Sequence, residues 1–424
     1  MKNFLKLIVA FTLMFLARSV VRRYRPHIVM VTGSVGKTST KDAVATVLAT
    51  RFFVRKSEKS FNSQFGVPFT ILGVDNPWNN PLAWFSLIKR ACALLFLPNH
   101  YPKMLVLEVG ADKPGDLAWI LRIVTPDVVV VTRLPEVPVH VEAYSSPEAV
   151  REEEFSPAYA LRAAAPLIIS ADDSYSLENA VRTPARVISY GVAPDATVHI
   201  GNVNYAESEG KIEGMCAEID VDGVPVESIV RGSVGTTQIL PVAAALAVAL
   251  AFDIPLEGAQ KALESYEPPP GRGRLLSGKN DSTIIDDSYN SSPIAVEQGL
   301  ATLKAFPYAV RRIAVLGDML ELGRYSAIEH ERIGILAHES ADLIAAVGIR
   351  SRVFAGVQGG VEVVLFDNAR AAALALADIV RPGDVVLVKG SQSIRTERIV
   401  KALLADPVDA SRLVRQGKNW KKKL

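Results

Sequence analysis

Cysteine is nearly absent: 424 residues contain only Cys92 and Cys216. Two thiols exclude a disulfide framework and a cysteine-rich zinc site, and they fit a reducing compartment. Both read as buried thiols. Acidic residues are missing from the two ends. Residues 1–26 hold six Lys/Arg and no acid, and residues 412–424 hold six more, again with no acid. The net charge of +2 therefore hides a body with 35 basic against 45 acidic residues. Such a body is not one that wraps nucleic acid, because phosphate binding needs a basic face on the folded domain. A long apolar run is lacking too. Residues 7–17 are uncharged, but 11 residues fall short of the roughly 20 that a spanning helix needs. What is abundant is core material. Hydrophobic residues make up 49% and charged residues 22%, which excludes a disordered chain and suits two to three domains.

The N-terminal segment extends to 18 residues if counted over 4–21, with Lys6 and Arg18 snorkelling. Arg22, Arg23 and Arg25 follow it at once, and no small-residue cleavage site precedes a mature start. Residues 1–26 are therefore expected to form a retained, membrane-associated helix. A helix buried on the body and a cleaved signal are the rival readings. The trailing arginines would place the body on the cytoplasmic side.

From residue 27 the pattern is an apolar run, a glycine turn and a helical segment to about residue 50. Further apolar runs at 104–109, 128–132 and 167–170 alternate with helical segments. This predicts an α/β domain over 27–268 with a parallel sheet. Short alternating runs at 197–203, 215–221 and 225–230 predict a small antiparallel patch. Residues 238–252 predict an Ala/Val/Leu helix. Pro268, Pro269, Pro270 and Gly271 mark a hinge. A second α/β domain is expected over 269–408, with strands at 282–286, 312–316, 343–347, 361–366 and 385–388, then a basic tail over 409–424. An insert over 77–102 is apolar nearly all round. It reads as a helix packed on the core, with a second membrane-contacting element as the rival.

Chemistry-bearing residues sit where these strands end. Gly33, Ser34, Val35, Gly36, Lys37, Thr38 and Ser39 lie between strand and helix, the place for backbone amides, a helix N-terminus and a lysine to hold phosphates. Val31 stands where the full P-loop pattern wants a glycine. Glu108 closes the 104–108 run, where a carboxylate can take Mg²⁺. His140 lies in a loop and Glu152, Glu153 and Glu154 on a helix. By themselves these read as surface features. Asp286, Asp287 and Asn290 follow a strand and suit ribose and base, or an Asx turn. Lys389 and Ser391 also follow a strand and suit an anion. Arg272 adjoins the hinge and could reach into the cleft.

Together these stretches resemble the Mur ligase family, the ATP-dependent amide ligases of peptidoglycan synthesis. The resemblance covers about residues 27–405 and is nearest to the branch that adds D-Ala-D-Ala to a UDP-muramoyl-tripeptide. It rests on residues 33–39, 62–68, 108–111, 140–142, 270–272, 286–293, 317–323 and 389–391. It implies a central ATPase domain of P-loop type and a Rossmann-like C-terminal domain, with ATP between them. A substrate carboxylate would attack the γ-phosphate, and an amine would then displace phosphate from the acyl phosphate. By the resemblance, Lys37 and Thr38 hold phosphates and a first Mg²⁺ with Glu108, and His140 holds a second Mg²⁺. Asn290 faces adenine, Asp287 the ribose and Arg272 the γ-phosphate. Asn62, Lys389 and Ser391 serve the muropeptide and D-Ala-D-Ala substrates. A monomer is expected.

Two departures stand out. Relatives carry a carbamylated lysine fourteen residues after the histidine. Here that position is Glu154, a carboxylate on a shorter arm, expected to substitute as a metal ligand. Relatives also carry an N-terminal UDP-holding domain, whereas only about 26 residues precede the first strand here. The competing expectations are a ligase with a lipid-linked acceptor and an ATP-binding scaffold that no longer ligates.

Overall fold

The computed structural model describes residues 2–58, 61–78, 80–417 and 420, with side chains from residue 6 onward. Most of the basic run expected at the C-terminus, Lys418 and residues 421–424, lies outside the described residues.

Strands β1 (His27–Thr32), β2 (Val54–Lys56), β3 (Met104–Glu108), β4 (Val128–Val131), β5 (Pro166–Ser170), β6 (Arg186–Gly191), β7 (Val198–Ser208), β8 (Lys211–Val221) and β9 (Val224–Arg231) form one nine-stranded sheet. Its order is β2-β3-β1-β4-β5-β6-β7-β8-β9. The pairs from β2 through β7 are parallel, and only β7–β8 and β8–β9 are antiparallel. The antiparallel patch therefore continues the parallel sheet. β3 and β4 are buried along their whole length, which is why they read as unbroken apolar runs. β2 and β6 were not expected. Each carries polar or charged residues that mask its pattern.

Helices α1 (Lys2–Tyr24), α2 (Lys37–Leu48), α3 (Gly66–Leu72), α4 (Pro81–Phe96), α5 (Asp116–Leu121), α6 (Pro147–Tyr159), α7 (Ser174–Ala180), α8 (Leu240–Ala251) and α9 (Leu256–Leu263) cover this sheet. Residues of α2 and α8 fill one apolar layer with Val29, Val31 and Val106 of the sheet. Residues of α1, α3, α4 and α5 fill the other, with Met30, Leu105 and Leu107. The alternation of side chains along β1 and β3 feeds both layers.

The second sheet contains β10 (Arg274–Gly278), β11 (Ser282–Asp287), β12 (Arg311–Gly317), β13 (Leu343–Val347), β14 (Glu362–Phe366) and β15 (Asp384–Lys389), in the order β10-β11-β15-β12-β13-β14. All pairs are parallel except β10 on β11. β10 was not expected, because it follows the Pro-Gly stretch directly. Helices α10 (Pro293–Ala305), α11 (Ser326–His338), α12 (Ala369–Ile379) and α13 (Glu397–Leu403) pack on it. Ser292 caps α10 by accepting from the Ala295 amide, and Pro293 occupies the first turn.

α1 lies on the body. Ala10, Leu13, Ala17 and Val20 recur at three- and four-residue spacing and are buried. Leu13, Ala17 and Val20 share an apolar cluster with Phe69 and Leu72 of α3 and Leu87 and Ala91 of α4. Tyr24 stacks on Tyr101 at 4.5 Å and donates to the Leu94 carbonyl at 2.8 Å. Among the described residues no helix is long and apolar enough to cross a membrane. The insert is helical, as expected, and Asn80 caps it. Against expectation, Cys92 is exposed on α4 and Cys216 is only partly buried on β8. Strand alternation buries Met215 and Ala217 and turns Cys216 outward, and on α4 Leu87, Ala91 and Leu94 take the core face and leave Cys92 outside.

Candidate active site

Residues 33–36 turn at the carboxyl end of β1, the side on which open parallel sheets leave a crevice. Gly33 has φ +112°, and a Cβ there would lie 2.3 Å from Thr132 Oγ1. Gly36, at φ +91°, precedes the first turn of α2. Only glycine adopts both conformations without strain. The Ser34 amide donates to the Arg133 carbonyl at 3.0 Å, which ties the loop to the end of β4.

The side chains that follow converge on Glu108. β1 and β3 are neighbours with Val31 opposite Glu108, so the start of α2 faces the end of β3. The Thr38 hydroxyl donates to Glu108 Oε1 at 3.1 Å. Glu108 Oε2 is buried without a hydrogen bond, 3.9 Å from the Lys41 ammonium. Burial pushes the Glu108 carboxyl up, against the pull of Lys41 and Lys37. A buried carboxylate oxygen lacking a donor, beside a hydroxyl, fits a hard divalent cation.

Lys37 folds back so that its ammonium donates to the Gly33 carbonyl, and it lies 3.8 Å from Glu154 Oε1. Glu154 comes from α6 and is buried beneath the loop. Its Oε2 accepts from the Gly33 amide at 2.9 Å and the Thr32 hydroxyl at 3.1 Å. The partners of His140 are different. Its Nδ1 is 2.9 Å from Glu321 Oε2 and its Nε2 is 3.6 Å from Asp112 Oδ1. Burial pulls the imidazole pKa down, but the hydrogen bond and charge of Glu321, with Asp112, outweigh it and the net shift is upward. Among the described residues no three His, Cys, Asp or Glu side chains gather as a metal cluster.

The second sheet supplies the opposite wall. Asp287 pairs in register with Lys389, and the buried Lys389 ammonium donates to Asp287 Oδ2 at 2.6 Å and to the Asn290 carbonyl at 3.1 Å. Lys389 therefore braces the 287–290 turn. Asn290 Oδ1 accepts from the Gln392 amide at 3.3 Å, and Ser391 Oγ accepts from the Leu320 amide at 2.8 Å. The Arg272 guanidinium sits 4.2 Å from the centre of the Tyr289 ring.

A cleft of about 760 Å³ brings these walls together. Ser34, Val35, Gly36, Lys37, Thr38, Asn62, Glu108, His140, Arg272, Asn290 and Ser391 all line it. Ser39, Asp287 and Lys389 line a narrower slot that shares Gly36 and Arg272 with the cleft. Glu154 lines neither. Several lining residues were given no role from the sequence, among them Asp112, Tyr289, Glu321, Gln392, Arg395 and Trp420. Glu321 lies inside the recognised 317–323 stretch, so only its partner was hidden. Trp420 was visible as the one aromatic within the basic tail. Its ring meets the Arg395 and Arg415 guanidiniums at 5.4 and 5.7 Å.

Such a cleft offers the amides at the start of α2 and the Lys37 ammonium to phosphates, a hydroxyl–carboxylate pair to a metal, and an imidazole facing them from a second element. That set stabilises negative charge as it moves between oxygens.

Comparison with known proteins agrees with this reading. Residues 31–249 match the Mur ligase middle domain, and residues 271–392 match the Mur ligase, glutamate ligase domain. The chain is 26% identical over 400 residues to the UDP-N-acetylmuramoyl-tripeptide–D-alanyl-D-alanine ligase of Bacillus subtilis, covering 93% of this chain and 79% of that one. It is 30% identical over 406 residues to the same-named ligase of Mycobacterium tuberculosis, covering 89% and 73%. Among solved structures, the MurF ligase of Thermotoga maritima in complex with ADP superposes with a TM-score of 0.77. It is 26% identical and covers 93% of this chain and 83% of that one.

Proposed function

This chain belongs to the Mur ligase family, and from that premise we propose that it is an ATP-dependent ligase adding D-Ala-D-Ala to a muramoyl-peptide. The observation that carries the proposal is the convergence of Lys37, Thr38, Glu108 and His140 from one sheet with Arg272, Asn290 and Ser391 from the other on a single cleft. In this reading the glycine loop is of P-loop type and the C-terminal domain is Rossmann-like. The boundaries are 27–268 and 269–408.

The chemistry assigns work to these residues. Loop amides and Lys37 bind the phosphates of ATP between the domains. Arg272 neutralises the γ-phosphate while a substrate carboxylate oxygen bonds to its phosphorus and ADP leaves. The amine of D-Ala-D-Ala then bonds to the acyl carbon, loses a proton, and inorganic phosphate departs. Both steps develop negative charge that fixed cations stabilise. Thr38 and Glu108 would hold one Mg²⁺ and His140 a second, supplying further neutralisation of phosphate charge. Glu154, held at the loop floor, supplies the negative charge that the carbamylated lysine contributes elsewhere in the family. Asp287 serves the ribose, Asn290 the adenine, and Lys389 acts through the turn it braces. Asn62 and Ser391 face the substrates. The enzyme works as a monomer in the cytoplasm, at the inner face of the membrane.

Phosphate release from ATP across a panel of UDP-linked and lipid-linked muropeptides, with and without D-Ala-D-Ala, tests the reading. Release that requires both a muropeptide and D-Ala-D-Ala is expected. ATP binding without release on any pair would overturn it.

A further inference from the structure

α1 and α4 both pack on α3, so their inward faces are used up and their outward faces share one side of the molecule. A helix at the surface of a soluble body normally turns polar residues outward. These two also expose large apolar residues. On α1, Phe11 and Phe15 are 45% and 68% exposed. On α4, Leu82, Phe85 and Phe96 are 78%, 73% and 77% exposed. Large apolar residues exposed on two helices that touch each other mark an interaction surface rather than ordinary scatter.

Charge decides what that surface fits. No Asp or Glu occurs in residues 1–41 or 76–107, so neither helix nor its flanks carries an acid. Lys6, Arg18, Arg22, Arg23 and Lys89 are exposed around the phenylalanines. Apolar faces flanked by cations, on two helices that carry no acid of their own, complement a bilayer whose headgroups are anionic. Trp78 and Trp84 pack on each other at 5.2 Å beside the start of α4, where a headgroup-level aromatic belongs. α1 cannot enter the bilayer as a span without pulling Leu13, Ala17 and Val20 out of the core.

We infer that α1 and α4 form a two-helix interfacial surface that seats the protein on an anionic lipid bilayer, in the membrane plane and without crossing it. This inference stands apart from the ligase reading, since none of its residues lines the cleft.

Flotation of the full chain with vesicles tests it, using phosphatidylglycerol–phosphatidylcholine mixtures against pure phosphatidylcholine. Binding is expected to the anionic vesicles and to fall at least about tenfold on the neutral ones. F15E/F85E/F96E should lose at least about tenfold in vesicle affinity with unchanged melting temperature, because all three side chains are already solvent-exposed. R18E/R22E/K89E should lose binding and its salt dependence. Absence of vesicle binding overturns the inference. So does equal binding by wild type and the phenylalanine variant, which would place the contact elsewhere in the chain. A wild-type dimer in sedimentation that F15E/F85E/F96E converts to monomer, without any vesicle binding, also overturns it, and would assign the face to a second copy.

Discussion

Glu154 and Lys37 approach to 3.8 Å beneath the glycine loop, and the carboxylate is also tied to the Gly33 amide and Thr32 hydroxyl. Glutamine would preserve the shape and one acceptor oxygen but remove the charge. Glu154→Gln is therefore expected to lower ligation by about ten- to a hundredfold and to change its Mg²⁺ dependence, because the fixed charge around Lys37 is part of the electrostatic set. Unchanged activity and unchanged Mg²⁺ titration would sink the functional role assigned to this residue. Asp286 is a different kind of buried acid. Burial pushes its carboxyl up to about 6, while hydrogen bonds from Ser288 pull the other way. Its folded-state pKa exceeds the ordinary 3.8, so the native state holds the proton more tightly. Stability then falls as pH rises from about 4 to about 6, by about 1–3 kcal/mol from this group. Asp286→Asn removes that slope. Chemical denaturation of both proteins across this window should show the wild type losing ground to the variant. Parallel curves would refute it.

The glycine loop shows how much of this site was readable in advance. The strand–turn–helix context, Lys37 and Thr38 were visible because apolar periodicity changes at the turn. The reason for Gly33 was not, since it depends on Thr132, a hundred positions away. Gly33→Ala would face both the φ of +112° and the 2.3 Å approach. A loss of about 2–4 kcal/mol in thermal or chemical stability and weakened nucleotide affinity are expected. An intact melting curve would show that the loop relaxes. The same contrast runs through the fold. β1, β3 and β4 were legible as buried runs, whereas β2, β6 and β10 were not, because strand pairing stabilises short polar segments that have no pattern of their own. The charges flanking α1 point to a membrane surface, a reading that packing on the body leaves open. The spacing of Ala10, Leu13, Ala17 and Val20 already encoded a packed face, and the core side chains that cover it are supplied by α3 and α4.

The two halves share an apolar cluster in which Val234, Ile239 and Val242 lie with Ile285, Leu300 and Leu387, and the His140–Glu321 pair adds a polar contact at the edge of the cleft. Both residues adopt positive φ, at +66° each, so the contact holds two non-glycine residues in a sparsely populated conformation. The Glu142 amide also points at the Glu321 carbonyl at 3.5 Å, and a Cβ at Gly323 would come within 3.0 Å of Glu142. The contact is therefore close-fitting but half-exposed, with side-chain exposures of 26% and 45%. Solvent screening limits such a pair to about 0.5–1 kcal/mol. Glu321→Gln should consequently shift the balance between open and closed forms by only about two- to fivefold. It is expected to raise KM for ATP and lower kcat modestly, and to enlarge the radius of gyration measured by solution scattering with bound nucleotide. Removing the charge proposed to bind the phosphates, as in Lys37→Ala, should cost at least about a hundredfold in kcat. The two magnitudes separate a residue that closes the cleft from one that works inside it. If Glu321→Gln instead costs as much as Lys37→Ala with no change in scattering, Glu321 acts on the reacting groups through His140, and closure is governed by other contacts.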